Sequence, residues 1–318
     1  MNASFLKSSP QEVALLIVKR LKNFWGYGNL KGPVWFVGME EGLGDSEGLP
    51  LERFISTDGK VVVDITSNAS VDHQALFKER TKTQPTWRPL IFILLYQRFG
   101  RVPTLTEIRN YQINHFGRTT SAHAILELMP LPAKSTKKAD WIYQDVPLIG
   151  LTHREEYLAT YLPDRVQALK LLIEKHQPKL VLFYSRSYFN EWQSIIPKKL
   201  KEVIPDKLHM VKVDKTIYAV TPHQTSRGLS TNDWVQITKR LMKAVKTTLL
   251  SRDEVYQKVV AVMPADLRID FWFPTFYHRY VKSSGWFTPE MVVTMLTSPE
   301  YMEDMKKLQM EQNFPEGD

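Results

Sequence analysis

The chain has 318 residues, 43% of them hydrophobic, with a net charge of +8 and no cysteine. That suits one large domain, or a domain with an appendage, able to bury a core. It excludes disulfides, thiolate zinc sites, cysteine-ligated iron–sulfur clusters and a cysteine nucleophile.

Val13–Val18 is a six-residue apolar run followed by Lys19 and Arg20. This fits the face of a soluble helix over 10–24 rather than an export signal. No stretch approaches the roughly 20 apolar residues that span a bilayer, so a cytoplasmic protein is expected. VWFV (34–37) predicts a buried strand that breaks into GMEEGLG (38–44), and KVVVDI (60–65) predicts a second strand. TWRPLIFILLYQRFG (86–100) predicts a buried helix ending at Gly100. HAILELMPLP (123–132) starts as a strand and is stopped by Pro130 and Pro132.

Residues 154–177 predict helix, either two helices or one that restarts at Pro163. KLVLFYS (179–185) predicts a buried strand and 187–196 a helix. Residues 210–222 predict a hairpin-like strand pair, and 230–250 a helix capped by Ser230 or Thr231. This alternation predicts a three-layer α/β/α sandwich with a mainly parallel sheet over residues 1–250. Residues 251–318, with the aromatic DFWFPTFYHRY (270–280), lose the rhythm and predict a mostly helical C-terminal extension. Residues 299–318 hold six acids and two bases, a net −4, so the other 298 residues carry +12. That charge suits a polyanion such as nucleic acid, or an ordinary solvated lysine-rich face.

In parallel sheets the site lies beyond the carboxyl ends of the strands. Three loops stand there: GMEEGLG (38–44), ELMPLP (127–132) and TPHQTSRG (221–228). The first also fits a glycine pattern of short-chain dehydrogenases, with Asp64 as a ribose acid. Against that, Glu40 and Glu41 would repel a pyrophosphate, DSEGLPLERF is a poor helix start, and there is no Tyr-x-x-x-Lys pair. Binding of NAD would distinguish that reading.

Together the three loops resemble the uracil-DNA glycosylase superfamily, over about residues 30–250. The resemblance implies the fold of that family and hydrolysis of an N-glycosidic bond in DNA, with the base flipped from the duplex. Gly38-Met39-Glu40-Glu41 matches the motif whose acid or amide orients water, with Glu41 replacing the usual proline. Glu127 falls where the family has a base-reading Asn, and Pro222-His223-Gln224-Thr225-Ser226 loosely matches its base- and backbone-contacting motif. The carry-over makes Glu40, His223 and Glu41 the catalytic candidates. Glu40 orients water and faces a cationic sugar, and His223 stabilises the leaving base by hydrogen bond or proton transfer. Glu127, Met39 and Trp87 are the candidate base contacts. Arg118, Lys134, Gln224, Thr225, Ser226, Arg227 and Leu229 are the candidate DNA contacts, with Leu229 or Arg227 as the wedge.

Departures from the family pattern narrow the expectation. Without cysteine the chain is not of the iron–sulfur branches, and His73, His123 and His153 lack metal-ligand spacing, so no cofactor or metal is expected. An ionised Glu127 would only accept hydrogen bonds, which suits the amino group of cytosine better than uracil. The expected substrate is therefore a modified cytosine in DNA, such as the glucosylated hydroxymethylcytosine excised by a phage-defence branch of the superfamily. The alternatives are a uracil-repair enzyme and a non-catalytic DNA-binding protein on the same fold. A salt bridge from Glu127 to Arg88 or Arg118 is the competing structural role for that residue.

Overall fold

In the computed structural model the described residues are 9–44, 48–68, 71–78, 82–135, 137, 140–226 and 228–245, with 256, 257 and 260. The expected C-terminal extension and Arg227 therefore lie outside the described residues, apart from those three positions. The elements in order are α1 (Pro10–Asn23), β1 (Gly26–Gly28), β2 (Val34–Gly38), α2 (Leu51–Ser56), β3 (Val62–Val63), α3 (Val71–Ala75), α4 (Trp87–Phe99) and α5 (Leu105–Asn114). There follow β4 (His123–Glu127), α6 (Arg154–His176), β5 (Leu180–Tyr184), α7 (Phe189–Ile195), β6 (Lys201–Ile204), β7 (Leu208–Val213), β8 (Thr216–Thr221) and α8 (Thr231–Val245).

The eight strands form one mixed sheet in the order β3-β1-β4-β2-β5-β8-β7-β6. Its centre, β4-β2-β5-β8, is parallel throughout, with Trp35 opposite both Ala124 and Val181, and Leu182 opposite Ala219. The flanks are antiparallel where β1 meets β4 and along β8-β7-β6. Strand side chains alternate between two cores. Trp35, Val37, Val181, Phe183, Tyr218 and Val220 pack with α1, α6 and α7 residues such as Ile17, Leu169 and Trp192. Val34, Phe36, Leu180, Leu182, Ile217 and Ala219 pack with α4 and α8 residues such as Ile91, Ile93, Ile237 and Leu241. Helices therefore cover both faces, which is why the central strands read as unbroken apolar runs.

Local chemistry explains most element boundaries. Ser9 and Glu12 form a reciprocal capping box at the start of α1. Ser230 and Asp233 do the same before α8, with Ser230 Oγ accepting from the Asp233 N–H at 3.2 Å. Gly100, in the left-handed conformation, ends α4. The helix over 154–176 runs unbroken through Pro163. The proline removes one backbone donor, but buried Tyr157, Arg165, Leu169 and Ile173 anchor both sides of it. The strand expected over 60–65 shrinks to Val62–Val63, because Asp64 accepts from Thr66 N and caps a 3-10 turn at Ile65–Ser67. The expected hairpin is β7 and β8, turning through Asp214 at φ 51°. Among the described residues, no helix is long and apolar enough to cross a membrane.

Candidate functional site

All four central strands end on the same side of the sheet, and the loops after β2 and β4 continue to pair beyond them. Leu128 N–H donates to Gly38 O at 2.9 Å and Met129 N–H to Met39 O at 2.6 Å. Leu43 N–H donates to Ala133 O, and Ala133 N–H to Glu41 O, both at 3.0 Å. The intervening prolines lack N–H groups but offer carbonyls: Pro130 O accepts from Arg20 Nε at 2.8 Å, and Pro132 O from the Tyr143 hydroxyl at 2.9 Å. These loops wall a cleft of about 540 Å³ lined by Glu40, Glu41, Glu127, Trp87, Tyr184 and His223, among others.

Both glutamates of the first loop are held by arginine. Glu41 accepts from Arg20 Nη2 at 2.7 Å and from the Tyr27 hydroxyl at 2.6 Å, with Arg53 Nη1 at 3.8 Å. Arg20 is itself fixed by Thr57 at 2.7 Å and lies over the Phe24 ring. Burial pushes the Glu41 carboxyl up, but Arg53, Arg20 and the Tyr27 hydrogen bond outweigh it and hold it below the usual range. Glu40 forms a two-pronged pair with Arg154, at 2.9 and 2.7 Å. Here burial wins over Arg154, and the carboxyl is pushed up to about 7.

Glu127 has no such partner. It is 6% exposed, and Oε1 accepts from the Tyr184 hydroxyl at 3.2 Å while Oε2 has no hydrogen-bond partner. Arg118 pairs instead with Asp64 at 3.1 Å and donates to Thr66 and to Ile113 O. Burial, with Glu41 second, pushes the Glu127 carboxyl well above the usual range. Burial thus favours the neutral form of Glu127, in place of the ionised, accept-only carboxylate expected from the sequence. A protonated carboxyl both donates and accepts, as an amide does. Gly38 leaves room for it: a Cβ there would collide with the Tyr184 hydroxyl and lie 2.5 Å from Glu127 Oε2.

His223 Nδ1 accepts from the Thr225 N–H at 3.3 Å and lies 2.9 Å from the Thr225 hydroxyl. Burial lowers the imidazole pKa, and in the neutral ring the hydrogen bond accepted at Nδ1 from the Thr225 N–H leaves the proton on Nε2. Such a ring can donate a hydrogen bond to a departing base, whereas full proton transfer would need the imidazolium. Trp87 lines the cleft and packs against the rings of His73, Phe77 and Phe116.

Other sequence candidates lie elsewhere. Met39 is buried in the core shared with α1 and α6, and its side chain is not among those lining the cleft. Lys134 is exposed, between the cleft-lining Ala133 and Ser135. Leu229, Gln224 and Thr225 line a neighbouring cavity, and Leu229 packs partly buried on the second core. Ser226 is exposed and closes a turn onto His223 O at 2.9 Å.

The residues that sequence reasoning passed over are the partners: Arg20, Tyr27, Arg53, Arg154 and Tyr184. Arg20 did leave a signal, since it follows Ile17 by three positions on the apolar face of α1, where a cation must be paired. No known family model matches the chain, and no characterised protein is similar enough in sequence to stand as a relative.

Proposed function

We propose that the protein is a DNA glycosylase that flips out a modified pyrimidine, with a decorated cytosine as the preferred base, and hydrolyses its N-glycosidic bond. What carries this reading is Glu127: a buried carboxyl on the floor of a cleft at the strand ends, with one oxygen lacking a partner. As a neutral acid it pairs with the N3 and amino group of cytosine, donating to one and accepting from the other. It pairs equally with the N3–H and O4 of uracil, so donor–acceptor chemistry alone does not separate the two bases. The cleft volume does favour a decorated base. About 540 Å³ lies in the range that buries a drug-sized ligand, more than a bare pyrimidine fills. Ser135, Gln84 and Thr86 supply polar wall beside it.

In this reading the ionised form of Glu40, steered by Arg154, orients water and faces the oxocarbenium-like sugar. Glu41 is the fixed anion that keeps the loop and Arg20 in place. His223 donates from Nε2 to the base as negative charge develops on it. The protein needs no cofactor for these steps, and the basic residues 1–298 meet the DNA backbone.

The test is incubation with DNA carrying glucosylated hydroxymethylcytosine, hydroxymethylcytosine, cytosine or uracil, scored for alkali-sensitive abasic sites and released base. Abasic sites on the decorated cytosine, lost by at least about 100-fold in Glu40→Gln, are expected. Strong activity on uracil alone would end the cytosine assignment, and binding without abasic sites on any DNA would end the catalytic one.

A further inference from the structure

A second cavity of about 510 Å³ adjoins the cleft. Two strips of chain contribute residues to both. Thr83 and Pro85 face the second cavity, while Gln84, Thr86 and Trp87 face the cleft. On the other strip His223 faces the cleft, while Gln224 and Thr225 face the second cavity. Much of its wall is apolar, with buried Phe92, Ile108 and Trp234. One lining residue is exceptional. Gln224 is 6% exposed, and neither its Oε1 nor its Nε2 has a hydrogen-bond partner. A buried amide left without either partner is costly. Arg88, exposed, completes the lining.

The geometry points to a second nucleobase pocket: the cavity takes the base next to the excised one, read by the Gln224 amide. This rests on the glycosylase reading for the identity of the strand. A nucleobase has a flat apolar face for Phe92 and Trp234 and an edge with adjacent donor and acceptor for a glutamine, the pairing seen with adenine. A hexose decoration would leave most of its hydroxyls against apolar side chains, which is unfavourable. Walls drawn from the same two strips suit consecutive units of one polymer, and Arg88 is available to a phosphate. Thr225 joins the two sites, since it lines the second cavity and holds His223 Nδ1. Occupancy of the second pocket would thus steady the imidazole that serves the first.

The test uses single-stranded oligonucleotides carrying one glucosylated hydroxymethylcytosine or one uracil, with the 5′ or 3′ neighbour either a base or an abasic spacer. The spacer on one side should lower kcat/KM by about tenfold, on the scale of one stacked base. Gln224→Leu keeps the volume and removes the amide, and it should shrink that ratio toward one, with an unchanged Tm showing that the variant folds. Excision that ignores both neighbours in the wild type overturns the second pocket and leaves the glycosylase reading standing. If no DNA is cut, 2-aminopurine placed beside the modified base decides. Quenching on binding that weakens in Gln224→Leu supports the pocket while removing the catalytic reading, and absence of quenching overturns it.

Discussion

The loop after β2 and the end of β4 bury carboxylates in one cleft and tolerate them by opposite means. Glu40 and Glu41 face guanidinium groups at 2.7 Å, whereas Glu127 meets only a tyrosine hydroxyl. Charge buried with a matched partner fixes geometry. A carboxyl buried without one gives up its charge and gains a donor. The first loop therefore supplies one fixed anion, Glu41, and one carboxyl, Glu40, raised to about 7, while at the end of β4 burial favours a neutral edge. The two needs are met within one sheet, because parallel strands deliver both loops to the same end.

The strongest way to break this contrast is to remove a cation. Arg20→Ala leaves Glu41 buried beside Arg53 at 3.8 Å and frees Thr57 and Pro130 O. A loss of about 3–5 kcal/mol in stability is expected, read by urea unfolding. A loss under about 1 kcal/mol would show that Arg20 is not the anchor of Glu41. The next test is pH. Glu40 sits at about 7, above its ordinary 4.5, so its ionised fraction grows as pH rises through neutrality. Excision should climb about tenfold per pH unit below 7 and flatten above it. Arg154→Met removes the pull that lowers Glu40 and should move the inflection upward. A profile unmoved by that change would take Glu40 out of the rate-limiting ionisation.

Linked stability follows the same signs. A raised carboxyl such as Glu40 gives its stabilisation below its unfolded value and loses it as pH rises through about 7. Glu41, held low, gives its share above its unfolded value and loses it as pH falls through its folded one. The smallest expected effect sharpens the comparison most. Glu127→Gln replaces a neutral acid by a neutral amide, so stability at pH 7 should change by no more than about 1 kcal/mol. The same substitution at Glu41 discards two arginine contacts and should cost more. A large gain in stability for Glu127→Gln would mean that the wild type buries a charge there.

Much of this frame was legible in the residues themselves. Val34–Val37 and Leu180–Tyr184 are buried on both faces, so an unbroken apolar run announces them. Gly26–Gly28 announces nothing: three residues, two of them glycine, become β1 only through β3 and β4. At Gly26, φ is 145° and a Cβ would strike Ile125 O, which explains the glycine but not in advance. β6, Lys201–Ile204, begins with two exposed charged residues and lies at the sheet edge, where pairing with β7 rather than full burial defines it. The site divides in the same way. Glutamates and a histidine at strand ends could be picked out by position. Which cation pairs with which glutamate could not, because Arg154 stands 114 residues from Glu40 and Arg20 stands 21 from Glu41. The protonation of Glu127 was hidden for a similar reason, since it depends on burial, which sequence spacing does not contain.

The rungs that join residues 38–43 to 128–133 bear on how such a chain can change over generations. An extra residue inserted in either loop would slip each rung beyond it and turn Glu41 away from Arg20. The two loops can therefore lengthen or shorten only in concert. Point substitutions at the cleft wall stay open to drift, and the lining can be changed by exchanging side chains on walls of constant length.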